Sequence, residues 1–75
     1  MDHHVAYSLG ATYAQLGQRE EALRWLRNAV DTGFPCYPWY ARDTLLQPLR
    51  GDPAFQRFME ELRKSWEAAK ARYAQ

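Results

Sequence analysis

Apolar positions along this chain fall into three periodic stretches separated by a glycine turn and by one aperiodic stretch. From His3 to Leu16, the residues Val5, Ala6, Leu9, Tyr13 and Leu16 recur at spacings that place side chains on one face of an α-helix. Asp2 precedes this stretch as a candidate N-cap, and Gly17 follows it where a left-handed residue closes a helix. A second helix is predicted from Arg19 to Asp31. Ala22, Leu23, Leu26, Ala29 and Val30 form its apolar stripe, Trp25 widens it, and Gly33 ends it. Glu20 lies four residues before Arg24, which predicts an exposed ion pair. The connection between the two helices is too short for anything but an antiparallel pair.

The aperiodic stretch reads FPCYPWYARDTLLQPLRGDP and contains Pro35, Pro38, Pro48 and Pro53. Prolines at this density exclude a long regular helix. Short helical turns are expected around Trp39 to Arg42 and around Thr44 to Gln47. Phe34, Tyr37, Trp39, Tyr40, Leu45, Leu46 and Leu49 are too many apolar residues for a solvated linker, so the stretch is expected to pack as a structured loop. The last helix opens at Asp52, a cap, with Pro53 in the first helical position, where its missing N–H costs nothing. Phe55, Phe58, Met59, Leu62, Trp66, Ala69 and Tyr73 then recur at steps of three and four, the cleanest periodicity in the chain. Glu60 is expected to pair with Lys64, and Lys70 and Arg72 suit the C-terminal end of the helix dipole.

With 75 residues, the chain is read as one small domain, residues 1–75. Aromatic residues make up 15% of it, which favours a packed core over a disordered tail. The net charge of +1 argues against a dedicated polyanion binder. Cys36 is the only cysteine, so no intrachain disulfide can form, and a reducing compartment is expected. No apolar run approaches a membrane span of about 20 residues. The opening MDHHVAYSLG has no basic region followed by an apolar one, so no signal peptide is expected. These features predict a cytoplasmic protein without a membrane partner.

Small residues stand at chosen places in the helical pair. Gly10 and Ala22 would let the two backbones approach within a normal interaxial distance of about 8–10 Å. The order Ala6, Leu9, Gly10, Tyr13, then Ala22, Leu26 and Ala29, with Gly17 at the turn, resembles the tetratricopeptide repeat, a helix–turn–helix unit of about 34 residues. The matching unit covers residues 3–36. Ala6 departs from the family's large aromatic, and Pro35 falls one residue later than its closing proline. The segment DTLLQPLRGDPAFQRFMEEL resembles the closing segment after the last repeat in some bacterial multidomain signalling proteins, including serine/threonine kinases and cyclases. The resemblance implies an all-α fold: a repeat-like antiparallel helix pair (3–36), a structured proline and aromatic loop with short helical turns (37–51), and a long amphipathic capping helix (52–75). An array must end in an element that covers the last apolar face and offers a polar one to water.

The resemblance also implies a groove along the first helix. Its positions map onto His4, Tyr7, Ala11, Ala14 and Gln15, an expected peptide-binding face that competes with a plain solvated helix surface. Relatives that grip a C-terminal carboxylate carry Lys and Asn there, and Tyr7 and Ala11 break that clamp.

Chemistry is otherwise sparse. His3 and His4 are adjacent and point about 100° apart on a helix, where a metal pair prefers a spacing of four. No metal site is expected. Cys36 is read as a small buried hydrophobe, and Asp31, Asp43 and Asp52 as caps or turn residues. No acid, base or nucleophile has an orienting partner, so neither enzymatic activity nor a cofactor is expected. Tyr37, Trp39, Tyr40 and Arg42 could stack single-stranded bases, but without a basic run packing is the preferred account. The flank Val5, Tyr13 and Leu16 would be covered by a preceding repeat or another copy. The expected function is a non-catalytic protein-interaction or scaffolding module at the C-terminal end of a repeat array. The alternatives are a purely structural cap and, behind it, a nucleic-acid-contacting domain.

Overall fold

A computed structural model describes residues 2–73. The ends of the expected domain (1–75) and of the expected last helix (52–75), namely Met1 and residues 74 and 75, lie outside the described residues. The fold is all-α, with no strand among the described residues: α1 (His3–Gln15), α2 (Arg19–Asp31), α3 (Tyr37–Arg42), a 3-10 helix (Thr44–Leu49) and α4 (Pro53–Tyr73).

The helix ends reflect their caps. The Asp2 carboxylate accepts the His4 N–H at 2.7 Å, satisfying one of the free amides of the first turn. Both α1 and α2 stop in Schellman motifs. Gln18 N–H donates to the Tyr13 carbonyl at 2.9 Å and Gly17 N–H to that of Ala14 at 3.1 Å; Phe34 N–H donates to Ala29 at 2.9 Å and Gly33 N–H to Val30 at 3.4 Å. Gly17 and Gly33 hold the positive φ angles, 76° and 127°, that these turns require. No side chain caps the start of α2, but Glu20 and Glu21 in its first turn complement the dipole.

The antiparallel pair meets along its small residues. Ala6, Gly10 and Ala14 of α1 are buried, as are Ala22, Leu26 and Ala29 of α2. A continuous core then runs from Ala11, Ala14, Ala22 and Leu26 through Tyr40, Leu46 and Leu49 to Phe55, Phe58 and Leu62.

The proline-rich stretch folds into two short helical segments. Pro38 sits in the first turn of α3, where its amide is not needed. Pro48 lies inside the 3-10 helix and cannot donate to the carbonyl three residues back, that of Leu45. Gln15 Nε2, on α1, donates to that carbonyl instead, at 2.7 Å. Tyr40 is fully buried, and its hydroxyl is satisfied by the Phe34 carbonyl at 2.8 Å. Arg50 Nη2 donates to the carbonyls of Tyr40 (2.9 Å) and Asp43 (3.0 Å), tying down the end of α3.

Helix α4 is capped by Asp52, whose carboxylate accepts the Phe55 N–H at 3.0 Å. Its apolar face divides between two neighbours. Phe55 lies 5.6 Å under the Arg50 guanidinium and, with Met59, shares a cleft with Tyr37 and Ala41 of α3. Phe58 packs 5.9 Å from the Tyr40 ring, with the Arg27 guanidinium of α2 5.3 Å above it. Burial on α4 ends at Leu62. The expected Glu20–Arg24 and Glu60–Lys64 pairs do not form. Arg24 instead meets Glu21 at 2.8 Å, and Arg63 bridges Glu60 at 2.6 Å and Glu67 at 3.3 Å. Arg63 lies three residues after one acid and four before the other, so it reaches both along one helix face.

Candidate binding groove

Helix α1 and the α3–3-10 segment enclose an open groove of about 670 Å³. One wall comes from α1, with His4, Tyr7, Ser8, Ala11, Thr12 and Gln15; the other comes from Phe34, Trp39, Asp43 and Leu45. On α1 the positions 4, 7, 11 and 15 keep to helical spacing, so His4, Tyr7, Ala11 and Gln15 share one face. Of the five residues expected on a binding face, the structure brings these four together.

Ala14 is the exception. It is fully buried and lies four residues after Gly10, on the face that packs against α2. A residue that meets the partner helix cannot also line the groove, and Ala14 is removed from the site. Ala11, 5% exposed, forms part of the groove floor.

Tyr7 is a wall of the groove and not a free anchor. Its hydroxyl donates to Asp43 Oδ2 at 2.5 Å, and its ring meets Phe34 and Tyr40 edge-on at 5.4 and 5.1 Å. Burial, then the hydrogen bond to Asp43 and the charge of that carboxylate, pushes the Tyr7 phenol far above its ordinary value of 10.0. The other carboxylate oxygen of Asp43 accepts the Leu45 N–H at 2.9 Å and caps the 3-10 helix. One carboxylate thus locks α1 to the opposite wall and starts the segment that carries Leu45.

The exposed apolar groups of the groove are Trp39, 53% exposed, and Leu45, 49% exposed. The apolar pattern of the loop predicts both as packing residues, whereas the structure leaves about half of each in solvent. Helical phase separates them from the core: Trp39 precedes buried Tyr40, and Leu45 precedes buried Leu46, so each turns about 100° or more away from its neighbour. Tyr40, offered as a base-stacking group, is not available for that role because it is enclosed in the core.

The repeat-motif positions divide between core and turn. Gly10, Ala22, Leu26 and Ala29 are buried, Leu9 and Tyr13 are half-buried, and Gly17 forms the turn. Cys36 is half-buried, less enclosed than expected. Ligand atoms of Asp2, His3 and His4 lie within 4.8 Å of one another. The Asp2 carboxylate is already engaged as the cap of α1, and the bond from the His4 amide holds its carboxyl below the usual range. The positive end of a helix is also an unfavourable place for a cation.

No known protein family, curated protein or solved structure matches this chain. No helix among the described residues is long and apolar enough to cross a membrane.

Proposed function

We propose that this chain is a non-catalytic interaction module that binds a protein or peptide segment in the groove between α1 and the α3–3-10 segment. The observation that supports this reading is the exposure of Trp39 and Leu45 across an open groove floored by Ala11. A concave apolar surface with a few polar groups at its edge suits the apolar face of an amphipathic helix, the groove mode of peptide recognition. His4, Ser8, Thr12, Gln15 and Asp43 supply the polar groups, and two of them, Gln15 and Asp43, are already committed to holding the walls.

The test is selection of 16-residue peptides displayed on phage against the full chain, with the Leu45→Glu variant as counter-target. The reading expects peptides with apolar residues at helical spacing that bind the wild type and lose at least about tenfold affinity for the variant. Peptides that bind both equally would place the contact elsewhere.

A further reading, that the chain closes a tetratricopeptide-like array, is supported by the other flank of α1. Val5 and Leu16 are 48% and 64% exposed, with Leu9 and Tyr13 half-buried beside them. By helical phase this stripe lies away from the groove, where a preceding helix pair would pack. In that reading α4 is the polar-faced cap, and the groove remains open for the partner. Fusing a repeat-like helix pair ahead of Asp2 should raise the melting temperature of the chain if this flank is a docking face, and leave it unchanged otherwise.

A further inference from the structure

Beyond Leu62, helix α4 continues for about three turns past the last residue it buries. On this tail Trp66, Ala69, Lys70 and Tyr73 lie together on one face, at the i, i+3, i+4, i+7 spacing of a helix that anchors in a groove. Trp66 is half-buried, and Tyr73 is 86% exposed. At 1.5 Å per residue the stripe is about 11 Å long, and the α1 wall from His4 to Gln15 is about 17 Å, so the tail fits within the groove.

The charges also correspond. The groove wall carries the Asp43 carboxylate and no Lys or Arg. On the tail, Glu67 is engaged by Arg63, whereas neither Lys70 nor Arg72 forms an ion pair among the described residues. The α4 helix is unbroken from Pro53 to Tyr73, so the tail cannot turn back into the groove of its own chain.

We propose that the groove takes the Trp66–Tyr73 tail of a second copy of this chain, with Lys70 directed at Asp43. The proposal rests on the groove reading above and names its occupant. Burying Trp66 and Tyr73 against Trp39 and Leu45 removes from water the exposed apolar groups of both surfaces, which is the driving force for the association.

Sedimentation equilibrium of the full chain, carried into the upper micromolar range, tests it. The weight-average mass should rise above that of the monomer with concentration. Two variants separate the surfaces without touching the core: Leu45→Glu in the groove, and Lys70→Glu with Tyr73→Glu on the tail. Each should retain its helical circular dichroism and weaken self-association at least about tenfold. An equimolar mixture of the two variants should associate more tightly than either alone, because each pair then has one intact groove and one intact tail. A chain that stays monomeric throughout overturns the proposal. So does association that ignores both variants, whether or not Leu16→Glu abolishes it. A monomeric chain that still binds phage-selected peptides through Leu45 overturns the self-docking and leaves the groove reading standing; loss of both kinds of binding overturns both.

Discussion

Gly10 faces Leu26 at the α1–α2 crossing so closely that a Cβ on Gly10 would lie 2.7 Å from Leu26 Cδ2 and 2.8 Å from its Cγ. Leu26 is fully buried and has no free direction in which to yield. Gly10→Ala meets both that side chain and the Ala22 carbonyl, 3.2 Å from the new Cβ, and therefore overpacks the crossing by about 2–3 kcal/mol, of which the roughly 1 kcal/mol gained in helix propensity offsets only part. The variant should melt below the wild type. Ala22→Leu, on the facing helix, should cost about 1–3 kcal/mol with no such offset. Thermal melts of the two variants check this, and a Gly10→Ala variant as stable as the wild type would mean the helices cross elsewhere.

Phe58 joins α4 to Tyr40 and lies under Arg27 of α2 while only 4% exposed. Phe58→Ala should cost about 3–5 kcal/mol. In a domain of this size that is a large part of the total, so urea titration should show loss of the folded baseline at room temperature.

Arg50 satisfies two carbonyls at the end of α3 and covers Phe55. Arg50→Met keeps most of the apolar stem but leaves those carbonyls without their donor, at a cost of about 1–3 kcal/mol, read as a lower urea midpoint. Arg50→Lys should recover part of it, because one nitrogen, Nη2, meets both carbonyls and an ammonium with three donors can take that place.

Tyr7 and Tyr40 both have phenols raised above the ordinary value of 10.0, chiefly by burial. Well below pH 10 both are protonated in the folded and unfolded states, and their contribution is fully present. Above it the unfolded chain releases those protons before the folded one does, so stability falls as pH rises. Denaturation curves between about pH 9 and 11 should show this decline, and Tyr7→Phe should make it shallower. At neutral pH the same variant loses a hydrogen bond to a carboxylate and should be less stable by about 1.5–3 kcal/mol.

The helices were legible in the sequence wherever punctuation and periodicity agreed. Asp2, Gly17, Gly33 and the Asp52–Pro53 pair mark ends that the structure places within a residue of expectation. The loop was legible as two short turns, but not as the centre of the core. Tyr40, Leu46 and Leu49 are among the most buried residues, yet no period marks them, because each sits in a segment of six residues. The groove was half legible. Its α1 wall comes from helical phase, apart from Ala14, which the family pattern placed on a face that the phase of Gly10 assigns to α2. The opposite wall depends on contacts between residues far apart in the chain, such as Tyr7 with Asp43 and Gln15 with Leu45, for which local pattern carries no signal.

The side-chain bond from Gln15 to the Leu45 carbonyl bears on the order in which the chain assembles. A 3-10 segment interrupted by Pro48 leaves the Leu45 carbonyl without a partner inside the segment, and the donor that meets it lies 30 positions earlier, on α1. The α1–α2 hairpin, built from local contacts, leaves the ribosome ahead of the proline-rich segment and joins residues close in the chain. It offers the surface on which the proline-rich segment packs, and α4 in turn packs chiefly against α3 of that segment.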